Sequence, residues 1–127
     1  MTLHAYKSVK RATLVEGASP HRLTEMLYEG SLSNIAIASK HMESGDRQLV
    51  HHHIDKALAI VQELQGSLKD YEKNELAANL YDLYSYIATT LLASEHAMNS
   101  DGLKQCEALI NTLLEAWQSI SPETQAA

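Results

Sequence analysis

Seven histidines are the residues of this 127-residue chain that first suggest chemistry, because imidazole is the commonest side-chain ligand for metals. Three of them, His51, His52 and His53, are consecutive, so on a helix their side chains point about 100° apart and cannot share one ion. The sequence contains no Glu-x-x-His pair, which di-iron bundles require, and no His-Glu-x-x-His zincin motif. We therefore expect no metal site, and we expect these histidines to be solvated residues of a helix.

One histidine has the spacing of a phosphotransfer motif. Four-helix histidine phosphotransfer domains carry His-x-x-Lys-Gly, in which an exposed histidine takes the phosphoryl group. The stretch His53-Ile54-Asp55-Lys56-Ala57 resembles this motif but has alanine where the glycine stands. His-x-x-Lys alone arises readily by chance in a helix with three histidines. Phosphotransfer through His53 is kept as the alternative function.

The single cysteine, Cys106, is the other candidate nucleophile. It shares a helical spacing with Leu103 and Ile110, which predicts a buried and inert thiol. One cysteine cannot form an internal disulfide, so a reducing cytoplasm is the expected compartment. The five glycines are isolated from one another, so the sequence has no glycine-rich phosphate loop. No catalytic constellation and no cofactor motif emerges from these residues.

The charge balance also excludes several classes of partner. Lys and Arg number 10 against 16 Asp and Glu, a net charge of -6, so the chain lacks the basic surface that nucleic acid or an anionic membrane requires. No apolar run approaches the roughly 18 residues that span a bilayer, and no segment matches a signal peptide. Residues 1–15 differ, because they hold Lys7, Lys10 and Arg11 and no acid. We expect a soluble cytoplasmic domain with a basic N-terminal arm and no membrane insertion.

Helix start and stop signals divide the chain into four helices. Ser19-Pro20 predicts an N-cap and a first helical residue, and Gly45-Asp46 predicts a C-terminal stop followed by a new N-cap. The polar stretch 69–74 and the cluster 99–102 predict the next two turns, and Ser121-Pro122 predicts the end. Helices of roughly 18–25 residues joined by short turns predict an all-α, antiparallel up-down four-helix bundle. The expected organisation is an N-terminal arm or cap (1–18), the bundle (19–121) and a C-terminal tail (122–127).

Two of the helices show more apolar surface than one core requires. The spacing predicts core-facing stripes on the first helix (Leu23, Leu27, Gly30, Asn34, Ile37, His41) and on the third (Leu76, Leu80, Leu83, Ile87, Thr90). Each also has a second apolar stripe: Tyr28, Leu32, Ile35 and Met42 on the first, and Ala77, Tyr81, Tyr84, Ala88 and Leu92 on the third. A bundle helix normally has one apolar stripe and a charged back. The second stripes are covered either by the N-terminal arm or a fifth short helix, or by the helices of a partner that binds in a hydrophobic groove. Both hold if the arm covers the groove until a partner arrives.

Several local phrases resemble one family of proteins. They are Ala5-Tyr6, then Ala18-Ser19-Pro20-His21-Arg22-Leu23, Met26-Leu27-Tyr28-Glu29-Gly30, Glu75 to Tyr86 (ELAANLYDLYSY) and Glu115-Ala116-Trp117. In this order and at this length the chain is similar to the flagellin-specific export chaperone family, FliS. The departures are small: Glu29 where Asp is usual, Ser31 where Ala is usual, and Lys73-Asn74 where glycines often precede the third helix.

The resemblance implies a cytosolic helical bundle that is not an enzyme and uses no ATP. Such chaperones bind the C-terminal segment of newly made flagellin, prevent its premature polymerisation and present it to the flagellar type III export gate. Binding of that kind couples folding of the client to apolar burial. A weak homodimer of the free protein is left open. The residues expected to bind flagellin are Tyr6, Val9, Leu14, Leu27, Tyr28, Leu32, Ile35, Tyr81, Tyr84, Ala88 and Leu92.

Overall fold

Four helices make up the part of the chain that the structure, a computed structural model, describes, which is residues 19–120. They are α1 (Pro20–Ser44), α2 (Arg47–Gly66), α3 (Glu75–Ala97) and α4 (Asp101–Gln118), and no strand occurs between residues 19 and 120. The expected all-α class is confirmed. The N-terminal arm (1–18), the predicted stop at Ser121-Pro122 and the tail (122–127) lie outside the described residues.

The first two helices begin and end at the residues that the sequence indicates. Ser19 Oγ accepts a hydrogen bond from the backbone N–H three residues later (3.1 Å), and Pro20 is the first residue of α1. Gly45 ends that helix in the left-handed conformation (φ 76°), which glycine adopts without steric cost. Asp46 then caps α2 through its carboxylate, which accepts from the N–H of Leu49 at 3.1 Å.

The later turns are less regular. Asn74 caps α3 with its side-chain oxygen, which accepts from a backbone N–H at 3.1 Å. Asp70 in the preceding loop and Met98 at the end of α3 both have positive φ, 55° and 51°, a conformation in which an L-residue with a side chain is strained. Ser100 precedes α4 without a capping hydrogen bond from its side chain.

The helices form a closed ring in chain order. Each packs against two neighbours, α1 on α2, α2 on α3, α3 on α4 and α4 on α1. The start of α1 is joined to the end of α4 by His21 and Trp117, whose rings stack at 4.9 Å. His21 Nε2 donates to the Trp117 carbonyl (3.0 Å), and Trp117 Nε1 donates to the His21 carbonyl (2.8 Å). Short turns and this contact make neighbouring helices antiparallel, which confirms the four-helix bundle.

Helical spacing predicts one core stripe on α2 (Val50, Ile54, Ala57, Val61, Leu64, Leu68) and one on α4 (Leu103, Cys106, Ile110, Leu113, Trp117, Ile120). Most of these residues are buried, and Leu68, Leu113, Trp117 and Ile120 are partly buried. On α2 the core includes Val50, Ile54, Ala57, Val61 and Leu64, and on α4 it includes Leu103, Cys106 and Ile110. The Cys106 thiol approaches the Ile87 carbonyl at 3.7 Å, and burial raises its pKa to about 11. The thiol is therefore protonated and inaccessible at neutral pH, as predicted.

The division of faces on α1 and α3 is wrong. The core face of α1 consists of the buried residues Tyr28, Ser31, Ile35, Ala38 and Met42, which include most of the stripe expected at the surface. On α3 the core holds Tyr84, Ile87, Leu91 and Ser94, whereas Leu76 is 70% exposed. Tyr28, Ile35 and Tyr84 are therefore core residues and do not line an open groove.

The reason for this error lies in small and polar core residues. Ser31 is fully buried because its hydroxyl donates to the Tyr28 carbonyl at 2.8 Å within the same helix, so its polarity costs little. The stripe expected to face the core instead lies beside α2. There Gly30 permits close approach, because a Cβ at this position would stand 3.3 Å from Ile60 Cδ1. Ile37, at the outer edge of that stripe, is 36% exposed.

Candidate functional site

The histidine expected in the alternative function is enclosed between α1 and α2. His53 is partly buried, and its Nδ1 donates to Asn34 Oδ1 at 3.0 Å. Asn34 in turn donates from Nδ2 to the Gly30 carbonyl (2.9 Å), which orients the amide. The ring of His41 stacks on His53 at 6.1 Å, and burial lowers the pKa of His53, with nearby cationic groups adding to the effect. A phosphotransfer histidine must be exposed, so this setting does not favour that role.

The remaining chemistry-bearing groups do not combine into a reactive site. Within residues 19–120 no three His, Cys, Asp or Glu side chains are arranged so that they could hold a metal ion. In the same range no helix is both long and apolar enough to cross a bilayer. The most buried polar pair is Tyr28 and Tyr84, whose hydroxyls meet across the core at 2.6 Å. That pair joins α1 to α3 and is closed to solvent.

Exposed apolar side chains concentrate on α3. Among the described residues the three most exposed large hydrophobic ones are Leu76 (70%), Leu92 (50%) and Tyr86 (46%), and all three lie on this helix. The helix also contains no Lys or Arg, so nothing cationic on it competes for its apolar surface. At the helical spacing of 100° per residue these three side chains point in different directions and do not share one face, so α3 exposes apolar side chains around its circumference.

A row of residues on α2 faces a row on α3 along the boundary between the two helices, which we call the α2–α3 seam. Its members recur at three- and four-residue intervals on each helix: His51, Asp55, Leu58, Gln62 and Gln65 on α2, and Tyr81, Ser85, Ala88, Leu92 and Glu95 on α3. Residues at this spacing lie on one face of a helix. The seam therefore runs along the boundary between the two helices.

Hydrogen bonds at the two ends show how the rows align. Gln65 Nε2 donates to the Tyr81 carbonyl (2.9 Å) and to Ser85 Oγ (2.6 Å) at one end. His51 Nδ1 donates to Glu95 Oε1 (2.8 Å) at the other. His51 and Gln65 are 14 residues apart, which is about 21 Å of helix.

At the centre of the seam one apolar residue of each row lies level with the other, between the polar Asp55 and Gln62 of the α2 row. Leu58 is seven residues from both ends of the α2 row, and Ala88 is seven from both Tyr81 and Glu95, so the two lie level. Both are partly buried, and Leu92, one turn further along α3, is half exposed. This is a surface about 21 Å long, closed by polar bridges at each end and suited to the apolar face of a short helix.

The structure brings together three of the residues that the sequence singled out. Tyr81, Ala88 and Leu92 all lie on the α2–α3 seam, and the ring of Tyr81 also stacks on Tyr71 at 4.2 Å. Leu27 and Leu32 are partly buried against the core on α1. Because α1 is diagonal to α3 in the ring of helices, these two leucines cannot line the same outer surface.

The arm residues Tyr6, Val9 and Leu14 lie outside the described residues. Three others were missed by the sequence reasoning. Leu58 and Tyr86 belong to no stripe predicted for their helices. Leu76 was assigned to the core although it is the most exposed large hydrophobic residue of the described chain. The position of Leu76 in the first turn of α3 was the available signal, because a helix end extends beyond the packed layer.

A four-helix bundle that exposes several large apolar side chains on one helix and holds its polar groups in structural contacts is, as a class, typical of a protein-binding module. Comparison with known proteins agrees with this class. The family model described as "Flagellar protein FliS" matches residues 2–124. This chain therefore belongs to the FliS family of flagellar secretion chaperones.

Individual relatives cover most of the chain. The flagellar secretion chaperone FliS of Salmonella typhimurium is 33% identical over 122 residues, 95% of this chain and 90% of that protein. The protein of the same name in Escherichia coli is 32% identical, over 90% of this chain and 85% of that protein. The flagellar secretion chaperone FliSB of Pseudomonas aeruginosa is 31% identical, over 91% and 92%. A chaperone has a non-enzymatic role, in agreement with the expectation from the sequence.

Proposed function

We propose that this protein is a cytoplasmic chaperone for flagellin. It binds the C-terminal segment of newly made flagellin, keeps that segment from polymerising too early and delivers it to the flagellar type III export gate. Membership of the FliS family and the match to proteins named flagellar secretion chaperones support the proposal. The α2–α3 seam is the surface on which we place the client.

The observation that carries this placement is the exposure of Leu92. A leucine that is half exposed beside two partly buried apolar neighbours, Leu58 and Ala88, gives up favourable burial in the free protein. Transfer of such a side chain from water into a protein contact contributes on the order of 1 kcal/mol. A client helix that covers the seam gains this transfer free energy at several positions. The summed free energy offsets the entropy lost when a disordered segment becomes ordered.

The placement is tested by one charge substitution and a matched control. Leu92→Asp puts a carboxylate in the middle of the seam, where a bound apolar helix would have to desolvate it. Leu49→Asp makes the same change at a leucine that is 38% exposed but lies one turn before His53, on the side of α2 that faces α1. We expect Leu92→Asp to weaken binding of flagellin at least about tenfold, with Leu49→Asp close to wild type.

Calorimetry with the purified chaperone and full-length flagellin measures both affinities, and circular dichroism checks that each variant keeps its helices. Flagellin that lacks its C-terminal segment should not bind the wild-type protein. Equal affinities for Leu92→Asp and Leu49→Asp would move the client off the seam. Undiminished binding of truncated flagellin would contradict the proposed client segment.

We propose that residues 1–15 compete with the client for the acidic bundle. This segment has three cationic and no anionic side chains, together with the apolar Tyr6, Val9 and Leu14. Deletion of residues 2–15 should then raise the apparent affinity, because less of the free protein is in a state that cannot bind. If these residues instead contact flagellin directly, the deletion weakens binding. Unchanged affinity would exclude both roles.

A further inference from the structure

Three histidines and a lysine lie together where α2 packs on α1. The rings of His53 on α2 and His41 on α1 stack with their centroids 6.1 Å apart and 17° between their planes. The ring of His52 meets that of His53 edge-on at 4.9 Å. Lys56, one turn after His53, is partly buried on the same side of α2. We call these four residues the histidine cluster; each of them can carry a positive charge.

Hydrogen bonds determine which ring nitrogen of His53 is protonated in the neutral state. Asn34 Nδ2 donates to the Gly30 carbonyl at 2.9 Å, so the amide presents its oxygen, an acceptor, to the ring. His53 Nδ1 lies 3.0 Å from that oxygen and must therefore carry the hydrogen. Nε2 is then the only position on the ring that can take a second proton.

A second proton on His53 meets no opposite charge within the histidine cluster. Burial is the largest cause that lowers the pKa of His53. The charges that act on the ring are those of His52 and Lys56 from its own helix and of His41 from α1, and each of them lowers this pKa further. Protonation therefore confines charges of like sign between two helices.

The carboxylates of the surrounding helices lie on other faces. Asp55 follows His53 by two residues, about 200° around α2. On α1, Lys40 and Glu43 are the exposed charged neighbours of His41. On α3, the other helix packed against α2, Glu95 accepts a hydrogen bond from the ring of the seam histidine at 2.8 Å.

We propose that the histidine cluster is a proton-sensitive latch between α1 and α2. With His53 neutral, its hydrogen bond to Asn34 and its stack on His41 hold the middle of α1 against α2. When Nε2 takes up a proton, repulsion within the cluster loosens the middle of α1. Ile35 and Ala38 stay buried in the core, so the change is local. The latch is a property of the free protein and is independent of the proposed function.

The latch is closed at neutral pH and opens in mild acid. A histidine in an unfolded segment takes up its second proton near pH 6.5, and the pKa of His53 in the folded protein is lower. Above about pH 6.5 the ring is neutral in both states, so the contact has its full stability. That stability is lost as the pH falls below about 6.5 and through the pKa of the folded state.

Hydrogen exchange of the full-length protein tests the latch, measured by mass spectrometry at about pH 7.5 and about pH 5.5 and corrected for the intrinsic exchange rate. We expect the protection of amides 30–41 on α1 to fall about three- to tenfold at the lower pH, and that of α4 to change less than about twofold. His53→Gln keeps a side-chain N–H donor but cannot take up a proton, so the difference should vanish. His96→Gln, at an exposed histidine near the end of α3, is the control and should behave like the wild type.

A nuclear magnetic resonance titration of the wild-type protein provides a second test if His53→Gln does not fold. Long-range proton–nitrogen spectra should show the Nδ1–H tautomer of His53 at neutral pH and a pKa below the ordinary value of about 6.5. His41→Gln removes one neighbouring charge, so it should raise the pKa of His53.

Three results would overturn the latch. An equal loss of protection in all four helices would show general destabilisation by acid. A pH difference that persists undiminished in His53→Gln would show that the proton binds elsewhere. An Nε2–H tautomer of His53, or a pKa that His41→Gln leaves unchanged, would contradict the hydrogen bonds and the charges on which the latch depends.

Discussion

Loss of a single hydroxyl in the core should destabilise this bundle measurably. The hydroxyls of Tyr28 and Tyr84 lie 2.6 Å apart, and the two side chains are only 4% and 3% exposed. Tyr28→Phe leaves the Tyr84 hydroxyl buried without this partner, which costs about 1–3 kcal/mol. Tyr84→Phe should cost a similar amount for the same reason. In the double variant no hydroxyl remains to be satisfied, so its free energy of unfolding should be close to that of the wild type or of one single variant.

Urea unfolding followed by circular dichroism measures these differences as a double-mutant cycle. We expect the double variant to be less destabilised than the sum of the single variants by about 1–2 kcal/mol. Tyr86→Phe, at a tyrosine that is 46% exposed, is the control and should change stability by less than about 0.5 kcal/mol. Additive single effects, or a cost at Tyr86 equal to that at Tyr28, would refute the reasoning.

The same pair predicts sensitivity to alkali. Burial raises the pKa of Tyr28 and of Tyr84, so the folded protein retains protons that the unfolded chain loses above its ordinary tyrosine pKa of about 10. The stabilisation is therefore complete below about pH 10 and is lost as the pH rises above it. The double phenylalanine variant should lose this part of the dependence. Replacement of either tyrosine by Asp should unfold the bundle, contrary to the surface position that the sequence suggested.

Three further substitutions or reactions test the description of the fold. Gly102→Ala should lower the free energy of unfolding in urea by about 1–3 kcal/mol, because a Cβ there would stand 1.9 Å from Ser94 Oγ at the junction of α3 and α4. Gly66→Ala is the control: its Cβ would meet nothing within 4 Å, so the free energy of unfolding should be unchanged or rise by up to about 1 kcal/mol. Asp70→Gly should raise the melting temperature, because glycine adopts the positive φ of 55° without strain; the expected increase in the free energy of unfolding is about 0.5–1 kcal/mol. An unchanged melting temperature would show that Asp70 adopts this conformation without strain. The Cys106 thiol, with its pKa raised to about 11 by burial, should react with a disulfide reagent at pH 8 only when the protein unfolds, so rapid labelling of the native protein would contradict its burial.

The number of helices and most of their ends were predictable because these signals are local. Ser19 with Pro20, Gly45 and Asp46 each act through the backbone groups of their own turn, so their effect does not depend on the rest of the protein. The buried faces of α2 and α4 were predictable for a related reason. Each has one dominant apolar stripe, and a stripe of that kind turns towards the core wherever its neighbours lie.

The buried faces of α1 and α3 depended on the tertiary structure. Both helices carry two apolar stripes, and periodicity alone cannot say which one the other three helices will cover. Burial of Ser31 beside Tyr28 on α1, and of Ser94 near the end of α3, decided the question, since small residues let helices approach and the two tyrosines satisfy each other only across the assembled core. A pattern of apolar residues does not include serine, so the stripe that is buried was not recognised in the sequence as the core face.

The candidate site was the part that the sequence could only partly predict. The grouping of Tyr81, Ala88 and Leu92 could be predicted from the sequence of α3 alone, because residues on one face of a helix recur at helical spacing. Their counterparts on α2, and the hydrogen bonds that join the two rows, exist only because the two helices lie antiparallel in one particular alignment. That alignment is set by packing between residues distant in the chain, and no local pattern specifies it.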